Sequence, residues 1–224
     1  ARYLRDNKIL RRLLVAQGGA FIFFSAVIPV EVIYAKETLG TGDTGYGVML
    51  ASWGVGMLLG SLVFARARRA PLIILLTLST LAVGVGYLGL SIAPNLALAC
   101  VASLIGGTGN GVQWVSAISA VQELTEAGMQ ARVMAVLESI GAAMPGVGFA
   151  LGGLIAAIAT PRTTFLVAGL GVLAIVALIA PTLGGKRAGR LATAQGFPLD
   201  ETNDVVLELL PGGMPTPNSS EVEF

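Results

Sequence analysis

Glu31 is the only charged side chain in the run LLVAQGGAFIFFSAVIPVEVIYA, Leu13 to Ala35. A carboxylate at membrane depth costs roughly 2.5–3.5 kcal/mol on insertion scales, so such a residue is read first as functional, binding a proton or a cation. Its competing reading is contact with water, because the run ends only about four residues later. At 100° per residue, Gln17, Phe24, Ile28 and Glu31 share one helical face. Pro29 frees the Ser25 carbonyl and marks a place where a helix can break. A second polar pair, Asn110 and Gln113, lies at i and i+3 inside another apolar run, with Gly106 one turn earlier. Substrate contact and helix–helix hydrogen bonding are equal readings for that pair. Glu123 and Arg132 flank apolar runs and Glu138 lies near the start of the fifth; an ion pair among them would gate one end of a pathway, and solvated interfacial charges are the plainer alternative. Trp53 and Trp114 read as packing or interface anchors ahead of a ligand cage.

Missing residue types exclude other chemistry. The chain has no histidine, which removes histidine acid–base catalysis, HExxH zinc sites and histidine-ligated haem. No nucleophile and base converge, so an enzyme is not expected, nor is a cofactor, a metal or a nucleic-acid partner. The single cysteine, Cys100, reads as a small apolar filler and allows no intrachain disulfide.

The elements that must position these residues are membrane spans. The sequence is 54% hydrophobic and 12% charged, with mean hydropathy +0.80, where a soluble domain carries about 25% charge. Six apolar runs reach the length that crosses a bilayer: 13–35, 45–64, 71–93, 96–122, 133–159 and 163–183. They are longer than barrel strands and lack strand alternation. The expectation is an all-α membrane protein with a bundle over 13–183. A basic segment, 1–12, precedes it, and an acidic, proline-bearing tail, 184–224, follows. Lys and Arg collect on the cytoplasmic side of membranes. Of 14 such residues, only Lys36 and Arg162 fall on the other face, so both termini are expected in the cytoplasm. The tail is expected to be disordered. The chain opens on alanine, with no signal-peptide cleavage pattern, and is expected to start inside a longer protein.

The six runs differ in kind with a period of three. The first and fourth hold most of the intramembrane polar groups. The second and fifth carry glycine stripes: Gly54, Gly56 and Gly60, then Gly141, Gly148 and Gly152, with Pro145 on the same face. The third and sixth lack charged and amide side chains in their centres, which suits a lipid-facing position. This is the order of a 3+3 inverted repeat. Apolar attraction between helices is weak in lipid, so small residues promote association by letting backbones approach. Static packing and a gliding or bending interface are both readings of the stripes.

Three stretches resemble the major facilitator superfamily of transporters. GDTGYGVMLASWGVGMLLGSL resembles the entry to the family's eighth helix. VQELTEAGMQARVMAVLESIG resembles the loop between its tenth and eleventh helices, and GAAMPGVGFALGG the Gly/Pro pattern of the eleventh. The resemblance covers about Asn7 to Arg187 and is to the C-terminal half, in the manner of bacterial enterobactin-exporter and macrolide-efflux type permeases. The family's loop signature, Gly-x-x-x-Asp-Arg-x-Gly-Arg-Arg, falls on Gly60 to Arg69. Phe64, Ala65 and Ala67 depart from it, which speaks against an aspartate latch and leaves Arg68 and Arg69 as basic gate residues. Pro145 precedes Gly146, the reverse of the family's antiporter order.

The resemblance implies a secondary active transporter half in a bacterial inner membrane. It would carry out proton-coupled efflux of amphipathic small molecules, such as drugs or siderophores, by alternating access. Its partners would be a missing N-terminal six-helix half, the substrate and the lipid bilayer. The alternative is a self-sufficient six-helix channel or carrier that dimerises.

Overall fold

Asn7 sets the start of the first spanning helix. Its side-chain oxygen accepts from the Leu10 N–H at 3.2 Å, satisfying one of the donors that a helix start leaves free. In the computed structural model, which describes residues 2–67 and 70–183, a short α1 (Arg2–Asp6) precedes this cap and α2 runs over Lys8–Ile33. The helix thus begins five residues before the expected span. Lys8, Arg11 and Arg12 are exposed, and long cationic side chains of this kind cost a first turn little. Beyond Pro29 the helix widens into a π-helical turn, Tyr34–Thr38, where the Leu39 N–H donates to the Tyr34 carbonyl at 3.0 Å. Gly40 and Gly42 then turn the chain with φ of 65° and 64°, a conformation that strongly favours glycine.

The remaining spans are α3 (Gly42–Arg66), α4 (Leu72–Ile92), α5 (Leu96–Glu123), α6 (Gln130–Ile158) and α7 (Pro161–Leu183). Asn95 caps α5 through the Leu98 N–H at 3.0 Å. Pro161 occupies the first position of α7, where a missing N–H costs nothing. Among the described residues, six helices are long and apolar enough to cross a membrane. Arg68, Arg69 and the stretch 184–224 lie outside the described residues.

Neighbours in space are not neighbours in sequence. α3 lies along α5, α5 along α4, α4 along α7, α7 along α2, and α2 along α6, while α2 and α3 barely touch. Exchanging α2 with α5, α3 with α6 and α4 with α7 turns this set of neighbours into itself. Consecutive spans run in opposite directions, so the exchanged helices are antiparallel and the bundle is a 3+3 inverted repeat.

One expectation is corrected. Composition suits the third and sixth spans, α4 and α7, to a lipid-facing position. They instead occupy the middle of the series and supply Val83, Tyr87, Leu90, Phe165 and Val172 to the core. A Cβ at Gly169 would lie 3.1 Å from the Gly84 carbonyl oxygen, so the two helices meet closely. Lack of polarity marks a helix as apolar on all sides but says nothing about which side is covered. The sparsely covered helices are α3 and α6, each with only four buried residues.

Candidate functional site

Glu31 lines a cavity of about 190 Å³ together with Phe24 and Ile28 of α2, Tyr46, Met49, Leu50 and Trp53 of α3, and Ser103 of α5. The cavity exists because α2 and α3 hardly touch, each being held by a different neighbour. Glu31 is half-buried, and its carboxylate has no ion pair or hydrogen bond among the described residues. Two aromatic rings make much of the wall. Trp53 lies 6.1 Å from Phe24, and its other face stacks on Tyr87 of α4 at 5.6 Å and 14°. Tyr87 is fully buried, and its hydroxyl has no hydrogen-bond partner among the described residues.

The basic groups at this end are engaged elsewhere. Lys36 pairs with Asp43 at 2.6 Å across the glycine turn. Arg162 donates to the Ser91 carbonyl at 3.0 Å and sits 5.9 Å above the Tyr34 ring. Tyr34 in turn donates to the Leu90 carbonyl at 2.7 Å and meets Phe165 edge-on at 4.9 Å. This clasp joins the ends of α2, α4 and α7.

The other polar residues read from the sequence are not gathered around Glu31. Gln17 and Gln113 line a separate, smaller cavity of about 60 Å³ with Thr77, Thr80 and Ile175. Both glutamines are more than nine-tenths buried. The Gln113 amide donates to the Thr80 hydroxyl at 3.2 Å, whereas the Gln17 amide has no hydrogen-bond partner among the described residues. That volume suits roughly two waters, each occupying about 30 Å³ in the liquid. Asn110 is half-buried and belongs to neither cavity lining. Helical spacing put Gln17 on one face with Glu31, but the positions differ by fourteen residues, and different neighbours cover that face at its two ends.

The glycine stripes divide sharply. A Cβ on Gly56 or Gly60 would run into the backbone of α5 at Leu104 and Thr108, beside Gly107 and Gly111. Gly107 and Gly111 in turn receive the backbone of Trp53 and Met57, so two Gly-x-x-x-Gly motifs interlock. Gly148 and Gly152 of α6 meet Ile22, Ser25 and Ala26 of α2 in the same way. Gly141 is looser, with Phe21 at 3.6 Å, and Gly54 faces open space. Pro145 lies within α6 without ending it.

Of the expected gate residues, Glu123, Arg132 and Glu138 are exposed and form no ion pair with one another. Arg132 instead approaches the Met129 sulfur at 3.9 Å. Arg68 and Arg69 lie outside the described residues.

Two features escaped the sequence reading. Trp53 packs on the core as an anchor does, and it also forms a wall of the Glu31 cavity; Tyr46, Met49 or Leu50, and Trp53 at i, i+3/i+4 and i+7 carry that signal. The Arg162 clasp was signalled by a lone arginine on the face that basic residues avoid. Trp114, by contrast, is exposed and meets Phe21 edge-on at 6.0 Å.

A family model described as the Major Facilitator Superfamily matches residues 13–208. No curated protein matches the chain.

Proposed function

The chain belongs to the major facilitator superfamily of membrane transporters, and from that premise we propose that it works as one six-helix half of a proton-coupled exporter of amphipathic small molecules. The observation that carries this reading is Glu31, an unpaired carboxylate in a cavity walled by aromatic rings. A carboxyl group there exchanges two occupants. Ionised, it holds a cation; protonated, it is neutral and releases it. Substrate and proton therefore exclude each other at one atom pair, which is the requirement for antiport. Alternating access supplies the rest, with this bundle rocking against its partner half. The position of the cavity agrees with that: it opens where α2 and α3 separate, and α3 is covered along only one stripe. The basic distribution of the sequence supports an outer position for the Glu31 end, in a bacterial inner membrane on this reading.

The test is transport by the twelve-helix protein in inverted vesicles with an imposed proton gradient. Glu31→Gln keeps size and hydrogen bonding but removes the charge. Gradient-driven efflux is expected to fall at least a hundredfold with expression unchanged, and Glu31→Asp is expected to retain part of it. Wild-type efflux by Glu31→Gln rejects the exchange role.

A further inference from the structure

We infer that the group received by the Glu31 cavity is an organic cation with one ring or a comparable alkyl surface, and that anionic chelators are excluded. The inference rests on Glu31 as the exchange site and narrows the substrate class at that site. Three observations converge on it.

The first is charge. Glu31 is the one acidic side chain among the lining residues, and no Lys or Arg is among them. The basic groups nearest that end, Lys36 and Arg162, are held by Asp43 and by the Ser91 carbonyl and Tyr34 ring. An anion entering would meet an uncompensated carboxylate with no cation to pair with it. The penalty is severe where water is scarce, since the same pair of charges interacts several-fold more strongly there than in bulk water.

The second is the wall. Phe24, Tyr46 and Trp53 line the cavity beside the carboxylate, and an aromatic face attracts a cation through its quadrupole. Trp53 is held in its plane by the fully buried Tyr87 ring stacked behind it and by its fit against Gly106 of α5. A wall fixed in advance binds without an ordering cost.

The third is size. A volume of about 190 Å³ is below the roughly 300 Å³ at which pockets enclose a whole drug-sized ligand. It admits a substituted ammonium group with one ring, leaving the rest of a larger substrate to the facing half.

Equilibrium binding by this 224-residue chain in nanodiscs tests the inference, with Trp53 fluorescence as the readout in a Trp114→Phe background. The probes are phenyltrimethylammonium and benzenesulfonate, of similar size and opposite charge. The cation is expected to quench Trp53 and to bind at least tenfold more tightly than the anion. Glu31→Gln is expected to remove that preference, and Glu31→Asp to restore part of it, a pattern that general loss of packing does not give. Equal or tighter binding of benzenesulfonate overturns the inference, as does the absence of quenching by either probe. Should efflux still depend on Glu31 in that case, only the substrate class falls. Should Glu31→Gln transport like the wild type, the exchange reading falls with it.

Discussion

Two buried tyrosines at the Glu31 end show how much a single hydroxyl partner decides. Tyr34 and Tyr87 are both fully buried and both pack on Phe165, but only Tyr34 has its hydroxyl satisfied, on the Leu90 carbonyl at 2.7 Å. A typical internal hydrogen bond contributes about 1 kcal/mol net, and removing one partner leaves the other unsatisfied. Tyr34→Phe is therefore expected to lower stability by about 1–2 kcal/mol, since the Leu90 carbonyl loses its side-chain donor. Tyr87→Phe removes a hydroxyl that has no partner to lose and is expected to be neutral or stabilising. Thermal unfolding of both variants in detergent checks the contrast, and an equal loss at the two positions defeats the hydrogen-bond account. Glu31 was legible in the sequence because a charge inside an apolar run is conspicuous. Trp53 was legible only in part: its spacing from Tyr46 and Met49 aligns it with one helical face, but an aromatic residue in a span looks the same whether its ring faces a cavity or a neighbour. The separation of Gln17 from Glu31 was also beyond the sequence. Helical periodicity gives direction around an axis, and which neighbour stands at each height depends on packing.

Helices α3 and α6 are each fixed along one narrow stripe, so their attachment depends on a few glycines. The adjacent residues Gly152 and Gly153 make the sharpest comparison. A Cβ at Gly152 collides with the Ala26 backbone, while a Cβ at Gly153 meets nothing within 4 Å. Overpacking of a tight contact costs about 1–3 kcal/mol, whereas alanine in place of an open helical glycine gains up to about 1 kcal/mol. Gly152→Ala is expected to destabilise the chain by an amount in the first range, and Gly153→Ala to leave it unchanged or more stable. On α3 the same opposition is expected between Gly60→Ala and Gly54→Ala. Thermal midpoints for the four variants decide; a uniform response means that the stripes do not set the helix spacing. Gly169→Leu is also expected to be harmful, because Gly169 packs on Gly84 and Leu88, despite its place in an apolar helix whose composition suits lipid. The stripe itself was readable from composition. Its partner on α5, Gly107 and Gly111, was hidden because that helix also carries the amides, which drew the reading toward polar function.

At the scale of the molecule, the period of three in the sequence and the exchange symmetry of the helix neighbours describe one architecture. The repeat was legible because each half needs one polar, one glycine-striped and one plain span. The pairing of α3 with α5 rather than with α2 was not, since sequence order favours neighbours. That pairing leaves the outer surfaces of α3 and α6 largely uncovered, with Leu58 68% and Leu154 60% exposed. Lipid can cover such surfaces, so insertion does not require a partner. Transport is expected to need one on the proposed half-transporter reading, in which a facing half completes a cavity whose described lining comes from α2, α3 and α5. Orientation is the first thing to fix. Single cysteines at Thr41 and Ala67, at the two ends of α3, in a Cys100→Ala background, are expected to label from opposite sides of the membrane. Labelling of both from outside removes the six-span topology. The larger expectation then follows from the proposed half-transporter reading. Expressed alone, the chain is expected to insert with that topology and to move no substrate down or against a gradient. Co-expression with a complementary six-helix half is expected to restore efflux, and the Glu31→Gln variant to remain inactive in the same complementation. Crosslinking supplies an independent check, with cysteines at Leu58 of α3 and Leu154 of α6 expected to trap the complementary half in preference to a second copy of this chain. Crosslinked homodimers together with transport by the purified chain would identify a self-sufficient carrier instead.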